Sequence, residues 1–285
     1  MSRPMPEPGE ARAAAAPPAA DTRAPRPSHL DANLVGLRTL IRREIARILR
    51  IWTQTLIPPA ITMTLYFVIF GKLIGSRIGS IEGGFTYMQY IVPGLVMMSI
   101  ITNSYANITS SFFGLKFSHA VEEMLVSPMS NWVILSGYVV GAVVRGLAVG
   151  VIVLGIALFF TSLDIQHPFI TFASVLLGAI IFSLAGFINA VYATKFDDIA
   201  LVPTFILTPL TYLGGVFYSI HMLGEPWQAI SRANPILYMV NAFRYGVLGI
   251  TDVNVPIAFA VMLGFVVVLW IVALHLLRRG VGLRS

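Results

Sequence analysis

The sequence contains no cysteine and few charged residues. Of its 285 residues only 11% are charged, whereas 56% are hydrophobic, and the mean hydropathy is +0.81. The lack of cysteine excludes disulfide bonds and thiolate metal sites. A soluble domain has about a quarter charged residues, so this chain has too few to cover a water-exposed surface. The composition therefore excludes a water-soluble enzyme and predicts an all-α integral membrane protein.

The chain contains long apolar segments with few or no charged residues. A transmembrane helix needs about 20 mainly apolar residues, and six segments of the chain are long enough. Five contain no Asp, Glu, Lys or Arg: 51–71, 83–115, 165–194, 199–224 and 253–277. The sixth, 124–163, contains only Arg145, and its turn-forming start at Ser127 to Asn131 places the span between Trp132 and Phe160. We therefore predict six transmembrane helices.

The basic residues are distributed unevenly around these spans. The stretch up to Arg50, the loops 114–131 and 194–198, and the segment after the last span contain 14 of the 19 Lys and Arg residues, whereas the opposite loops contain four. Loops rich in Lys and Arg remain in the cytoplasm, which predicts that both termini are cytoplasmic. The basic balance is a signal of membrane topology and predicts no nucleic-acid binding.

The chain divides into four regions. Residues 1–33 contain seven of the 17 prolines and a run of alanines, which predicts a disordered cytoplasmic tail. Residues 34–52 form an amphipathic lead-in helix, residues 53–277 form the six-span domain, and residues 278–285 form a second cytoplasmic tail.

The lead-in helix has two faces. Apolar residues recur at three- and four-residue steps from Leu34 to Trp52, and four arginines lie on the opposite arc: Arg42, Arg43, Arg47 and Arg50. This pattern predicts a helix in the cytoplasmic headgroup plane with its arginines towards anionic lipid or a protein. It serves either as a simple anchor for span 1 or as an element that transmits force.

Two spans contain polar residues at helical spacing. Asn103 and Asn107 are four residues apart in span 2, and Thr204, Thr208 and Thr211 follow an i, i+4, i+7 pattern in span 5. Polar groups at this depth face protein or water. Both sets allow two interpretations: hydrogen bonds within and between helices, or the lining of a solute pathway.

Span 3 contains small residues and one charge. Two Gly-x-x-x-Gly pairs, beginning at Gly137 and Gly146, predict the close approach of another helix, either within the chain or from a second copy. Arg145 lies roughly 20 Å into the span at 1.5 Å per residue, so it needs a polar environment. It can extend outwards, bind carbonyl groups or pair with Asp164.

The segment 217–251 is too apolar for a solvated loop and too interrupted by charge for a span. Glu225 and Pro226 begin one short helix, and Asn234 and Pro235 end it and begin a second. These signals predict a re-entrant helical hairpin between spans 5 and 6 that enters the outer leaflet.

The residues of a catalytic or nucleotide site are missing. No two of the five histidines lie at metal-ligand spacing, and no span contains a Ser/His or paired-carboxylate arrangement. Gly71 and Lys72 do not form a phosphate loop, because Leu73 follows them and Tyr66 occupies the position of the first glycine. We therefore predict that the chain is not an enzyme and binds no metal or cofactor.

Five stretches carry a family resemblance. They are RIWTQTLIPPAITMTLY (50–66), YIVPGL (90–95), FDDIALVPTFILTPLTYLGGVFY (196–218), FRYGVLG (243–249) and RGVGLRS (279–285). With these stretches the chain, from about Leu34 to its C-terminus, resembles the permease subunits of ABC-type-2 exporters. The tail 1–33 departs from the family pattern.

The resemblance implies a partner and a docking surface. In such exporters a separate nucleotide-binding ATPase docks on the lead-in helix and on the first cytoplasmic loop, here residues 116–128. The family has a glutamate before an apolar pair and a proline, which corresponds here to Glu122 or Glu123 with Pro128. The implied coupling residues are Glu122, Glu123, Met124, Leu125, Arg43, Arg47 and Arg50.

The resemblance also implies a mechanism. A dimer of permeases in the bacterial inner membrane alternates between two states, while ATP and Mg²⁺ bind the partner ATPase. Spans 2 and 5 then line the pathway, and their Asn, Thr and aromatic residues suit an amphiphile, a lipid-linked glycan or a hydrophobic drug. Two alternatives are a membrane scaffold or assembly protein and a membrane-embedded lipid-modifying enzyme.

Overall fold

A computed structural model describes residues 29–78 and 84–282, and these residues form helices and no strand. The helices are α1 His29–Arg50, α2 Trp52–Tyr66, α3 Gly75–Ile78, α4 Tyr87–Phe117, α5 Ala120–Val126, α6 Asn131–Ala157, α7 Pro168–Tyr192, α8 Phe196–Val202, α9 Thr208–Tyr212, α10 Glu225–Ala233, α11 Pro235–Leu248 and α12 Val255–Arg279. Two π-helical stretches, Phe67–Ile74 and Pro203–Leu207, join α2 to α3 and α8 to α9.

The chain termini were predicted as tails. Residues 1–28 of the N-terminal tail and 283–285 of the C-terminal tail lie outside the described residues. The lead-in helix α1 begins at His29, earlier than the predicted Leu34. Asn33 explains part of this difference, because its Oδ1 accepts a hydrogen bond from the backbone N–H of Ser130 and holds the first turns of α1 against the bundle.

Five helical segments are long and apolar enough to cross a membrane. They are Trp52–Gly71, Tyr87–Phe117, Asn131–Ala157, Pro168–Tyr192 and Val255–Arg279. Each coincides with one of the predicted spans. Four of them come from charge-free runs and Asn131–Ala157 comes from the run that contains only Arg145, so the length of the apolar runs is sufficient to explain these five.

The segment predicted as span 5 has a different form. The chain is helical from Phe196 to Tyr212, with a π-helical stretch in the middle, and then turns at 213–215 instead of continuing to 224. Pro203 begins the π-helical stretch and Pro209 lies in the first turn of α9. Because proline lacks the backbone N–H of a regular helix, these residues favour the irregular geometry observed.

Helix α4 is the centre of the bundle. In an apolar 18-residue part of α4, 83% of the residues are buried, against 17% in such a part of Trp52–Gly71 and 22% in such a part of α12, which both lie at the edges. Helix α4 packs against α6, α7 and α11, while α12 packs on α7 and α11. The end of the bundle where α4 ends and α6 begins is called the α5 end below, and the opposite end is called the α10 end.

The glycines of α6 allow two helices of the same chain to approach closely. A Cβ atom on Gly141 would lie 2.5 Å from Glu44 Cβ of α1, and one on Gly150 would lie 2.7 Å from Ile100 of α4. Gly137 likewise faces α1 and Gly146 faces α4. Of the two predicted possibilities, packing within the chain therefore accounts for both Gly-x-x-x-Gly pairs.

The helices α10 and α11 begin where the sequence signals predict. Pro226 and Pro235 lie in their first turns, and Asn234 Oδ1 accepts from the backbone N–H of Ile236. Most of α11 is buried against α4, α7 and α12. Tyr238 and Tyr245 of α11 are only half-buried.

Candidate functional site

The short helix α5 presents one polar face and one buried face. Glu122 and Glu123 are exposed, Leu125 is half-buried, and Val121 and Met124 are buried. The hydroxyl of Tyr138 on α6 donates to Met124 Sδ at 3.9 Å. Met124, which was predicted on the docking face, therefore attaches α5 to the bundle, because its thioether packs against an aromatic side chain.

Helix α1 lies beside the same part of α6. Leu40 and Glu44 of α1 pack against Gly137 and Gly141, which flank Tyr138 on α6. The structure thus brings the two predicted docking elements, α1 and α5, together at the α5 end. Of the predicted arginines, Arg43 and Arg50 are exposed.

Arg47 is directed into the bundle instead of away from it. Its Nη2 donates at 2.9 Å to Glu44 Oε2 and at 2.9 Å to Asn107 Oδ1 of α4. Ser111 Oγ donates to Glu44 Oε1 at 2.6 Å, and Glu44 is only 1% exposed. The arginines were predicted on the arc opposite the apolar residues, towards lipid or a protein. Arg47 differs, because its guanidinium pairs with the buried carboxylate of Glu44.

Asn103 has a similar partner on α6. Arg145 Nη2 donates to Asn103 Oδ1 at 3.4 Å, and Asn103 Nδ2 donates to Ser99 O. The predicted pairing of Arg145 with Asp164 is not observed among the described residues, since Asp164 lies exposed in the loop between α6 and α7. These contacts favour interhelical hydrogen bonding for both asparagines. We call Glu44, Arg47, Asn103, Asn107, Ser111 and Arg145 the α1–α4–α6 polar cluster.

The three threonines predicted on one stripe have different environments. Thr204 and Thr208 are exposed, and Thr208 Oγ1 donates to Pro203 O at 2.9 Å. Thr211 is buried and donates to Leu207 O at 2.7 Å. Two of the three side chains thus bond the backbone of their own helix, while Thr204 and Thr208 place hydroxyl groups on an outer surface.

A cavity of about 550 Å³ lies next to α5. Its walls include Lys116, Glu122 and Tyr192. Lys116 Nζ donates at 2.6 Å to both Val191 O and Ala193 O, so it satisfies carbonyl groups at the C-terminus of α7. The sequence analysis missed this role, although a single lysine at the end of an apolar helix is a recognisable signal.

The start of α8 is held by an acidic residue. Asp198 Oδ2 accepts hydrogen bonds from the backbone N–H and the hydroxyl of Thr194 and from the backbone N–H of Lys195. These bonds, those from Thr194 first, lower the pKa of Asp198. Their stabilisation is therefore present above the ordinary pKa of an aspartate and is lost as the pH falls through the lowered value.

An aromatic cluster joins α2 to the chain that follows α9. The ring centroids of Phe70 and Phe217 are 4.8 Å apart, those of Tyr66 and Phe217 are 6.0 Å apart, and Tyr212 stacks on Phe217 at 5.9 Å. The two edge segments of the bundle are thus connected at the α10 end. Among the described residues no group of three His, Asp or Glu side chains is placed to hold a metal ion.

Comparison with known proteins gives this arrangement a class. The family model described as ABC-2 type transporter matches residues 35–248, so the chain belongs to that family. It is 55% identical over 251 residues to the inner membrane transport permease YadH of Escherichia coli strain K12, which covers 88% of this chain and 98% of YadH. The YadH of Shigella flexneri has the same identity and coverage.

A more distant relative is nodulation protein J of Rhizobium leguminosarum bv. viciae. It is 22% identical over 216 residues, which is 75% of this chain and 83% of that protein. The resemblance predicted from the sequence motifs is therefore confirmed. The chain is a membrane-embedded transport permease of the ABC-2 type, with several apolar helices of membrane-spanning length.

Proposed function

We propose that this chain is the permease subunit of an ATP-driven exporter and is energised by a separate ATPase. The observation that carries the proposal is the position of α5. Its glutamates are exposed while Met124 contacts Tyr138, next to the site where Glu44 of α1 packs on α6. A short helix with an exposed acidic face can insert into a groove of a soluble partner, and the exposed Arg43 and Arg50 enlarge this docking surface.

The α1–α4–α6 polar cluster connects that surface to the centre of the bundle. Arg47 of α1 is hydrogen-bonded to Asn107 of α4, and Glu44 is hydrogen-bonded to Ser111. A displacement of α1 by a docked ATPase is then passed to α4 through buried, charge-assisted bonds, which are stronger than neutral ones. In this proposal Asn103 and Asn107 transmit movement and do not contact the solute.

The pathway forms between two copies of the chain. Thr204 and Thr208 support this assignment, because exposed hydroxyl groups within an apolar segment favour protein or water over lipid. The segment 199–224 then acts as an irregular sixth membrane element, and α10 with α11 forms the outer hairpin. Both termini are cytoplasmic, as the basic residues indicate, and the protein resides in the inner membrane.

The partner ATPase binds ATP and Mg²⁺, and this chain supplies movement and a path. Exposed threonines and aromatic residues at the edge of the bundle suit an amphiphilic solute, as do the apolar side chains next to them on the same segment: Leu201, Phe205 and Ile206. The surface formed by these threonine, aromatic and aliphatic side chains contains no cluster of charged residues. A small, highly charged solute would therefore fit it poorly.

The test is co-purification with an ATPase that contains a phosphate loop and is expressed together with this chain. Glu123→Lys and Glu122→Lys reverse charges on the exposed face of α5, so each is expected to reduce the amount of bound ATPase and its stimulated ATP hydrolysis. Glu225→Lys on α10 is the matched control, because Glu225 is also an exposed glutamate in a first helical turn.

The control variant is expected to retain normal ATPase binding and stimulation. If both α5 variants insert normally and still bind and respond to the ATPase, the docking assignment is wrong. If the unmodified chain binds no ATPase, the proposal of an ATP-driven exporter is itself contradicted.

A further inference from the structure

A cation at the α10 end of the bundle is completely buried and forms no ion pair with the described residues. Arg244 of α11 has no exposed surface. Its guanidinium lies 4.0 Å from the centre of the Tyr90 ring, Nη2 donates to Gly215 O at 2.7 Å, and Nε donates to Tyr90 O at 3.4 Å. These groups are uncharged, and the carboxylate of Asp252 acts on Arg244 only through space, without a direct bond.

One nitrogen of this guanidinium remains unused. Nη1 of Arg244 forms no hydrogen bond with any described residue, although it is buried. An arginine has five N–H donors in a fixed plane, and a buried charge is costly unless it is paired and its donors are satisfied. Arg244 therefore has unused capacity for an acceptor, and an anionic acceptor would also balance its charge.

Arg244 contributes to the wall of a cavity. Its volume is about 340 Å³, and its walls are Tyr90, Arg244 and residues 249–252. This is far more than the roughly 30 Å³ that one water molecule occupies. Tyr90 lies in the first turns of α4, and Asp252 shortly precedes α12. Because α4 and α12 both have membrane-spanning length, the cavity lies at a membrane surface, whichever side that is.

The cavity contains a fixed negative charge as well. Asp252 Oδ1 accepts from Ser219 Oγ at 3.0 Å, Oδ2 accepts from the backbone N–H of Ile220 at 2.9 Å, and its own N–H donates to Asn241 Oδ1. A carboxylate has about four lone-pair sites, so each oxygen can accept another bond. A simple anion would be repelled by Asp252 and a simple cation by Arg244.

We propose that this cavity binds a phosphoethanolamine group, with its phosphate on Arg244 Nη1 and its ammonium next to Asp252. The group has both charges at a short separation, which complements the guanidinium and the carboxylate of one cavity. Guanidinium and phosphate form strong charge-assisted hydrogen bonds, and a primary ammonium has three donors for the carboxylate. A quaternary ammonium has none, so a choline headgroup fits less well. This site does not depend on the proposed ATP-driven mechanism.

The phosphoethanolamine group belongs either to a membrane lipid or to a soluble molecule. The following experiment distinguishes these two sources. The full chain is purified in mild detergent, and its retained lipids are identified by native mass spectrometry. Phosphatidylethanolamine is expected to be enriched over phosphatidylglycerol and phosphatidylcholine. In Asp252→Asn this preference falls about tenfold, because one charge-assisted hydrogen bond is lost. Asp164→Asn, an exposed carboxylate in the loop between α6 and α7, is the matched control and keeps the preference.

Arg244→Gln is expected to lose retention of all three phospholipids. If this variant does not fold, Asp252→Asn decides the question by itself. A second arm adds soluble glycerophosphoethanolamine to delipidated protein and measures the unfolding temperature. A rise in the wild type that is absent in Asp252→Asn supports the headgroup site with a soluble source. Equal lipid preference in the wild type and Asp252→Asn, with no such rise, means that the cavity holds water and overturns the proposal.

Discussion

At the scale of single residues, the most informative side chain is Glu44, a carboxylate in the arginine-rich part of α1. It is 1% exposed, hydrogen-bonded to Ser111 and paired with Arg47, whose side chain is 28% exposed. Removing one member of a buried ion pair leaves a charge without compensation, whereas removing both members is often well tolerated. The pair of Glu44 with Arg47 and its hydrogen bond to Ser111 therefore contribute to the position of α1 on the bundle.

The first prediction concerns this residue. Glu44→Ala is expected to lower the free energy of unfolding by about 3 kcal/mol, the lower end for a broken buried pair because Arg47 is partly solvated. Glu123→Ala, at an exposed position, is expected to change it by less than about 0.5 kcal/mol. Unfolding in detergent, followed by tryptophan fluorescence, measures both.

The double variant Glu44→Ala/Arg47→Met provides the internal check. Because it removes both charges, it is expected to recover more than half of the lost stability. If it is less stable than Glu44→Ala, then Glu44 acts through packing alone and the electrostatic explanation is wrong.

At the scale of helices, the glycines of α6 allow two other helices, α1 and α4, to pack closely against it. Gly141 faces α1 and Gly150 faces α4, whereas a Cβ atom on Gly155 of the same helix would meet no atom within 4 Å. Small residues that allow backbones to approach closely are the usual contacts between membrane helices. The same helix thus contains glycines in contact with a neighbouring helix and a glycine, Gly155, that contacts none.

The second prediction compares these positions. Gly141→Ala places a Cβ atom 2.5 Å from Glu44 Cβ, which is attached directly to the α1 backbone, so α1 must move away from α6. We expect reduced stability and faster proteolysis near α1. Gly155→Ala is expected to stabilise the helix by up to about 1 kcal/mol, because alanine has the higher helix propensity.

Limited proteolysis and thermal unfolding in detergent measure both variants under the same conditions. An equal effect of the two substitutions would show that α1 adjusts freely on α6. The polar cluster would then be unsuited to transmit movement from α1 to α4.

At the scale of the whole molecule, the edges of the bundle are apolar and uncovered. Helix α8 has no buried residue, and Phe205 and Ile206 are 71% and 54% exposed. Lipid could cover such residues, but the exposed hydroxyl groups of Thr204 and Thr208 on the same segment favour another protein surface. The proposal of a dimer rests on these exposed hydroxyl groups in an otherwise apolar surface.

The third prediction uses the absence of native cysteine, which makes any introduced thiol unique. Phe205→Cys is expected to form a disulfide-linked dimer in membranes under mild oxidation, because the thiols of two copies approach at the proposed interface. Phe169→Cys on α7 is the control, since Phe169 is even more exposed, at 91%. Electrophoresis without reductant measures the dimer fraction.

Cross-linking of the control but not of Phe205→Cys would place the interface on α7. No cross-linking of either variant, in a protein that migrates as a monomer in mild detergent, would contradict the dimer.

Much of the fold could be predicted because the signals are local. Four charge-free runs and the run around Arg145 predicted the five observed membrane-length helices, and Pro226, Asn234 and Pro235 predicted the boundaries of α10 and α11. The end of the predicted span 5 could not be found in this way. The run without charged residues continues past Tyr212 to Gly224, so it does not indicate where the helix stops.

The candidate site was predictable only in part. The exposure of Glu122 and Glu123 follows from their charge. The burial of the next residue, Met124, depends on which face of α5 meets Tyr138. Arg47 shows the same limit. Its direction depends on which face of α1 packs on α6, and a helical pattern with both apolar residues and arginines allows more than one orientation.

The sequence alone determined the class of this protein, because the shortage of charge and the length of the apolar runs leave a membrane bundle as the only compatible solution. Its motifs also determined the family. Only the tertiary structure decided the partners of the buried charges. Glu44 and Ser111 are 67 residues apart, and Arg244 and Tyr90 are 154 apart. Such contacts depend on how helices pack, and no local pattern of residues specifies that.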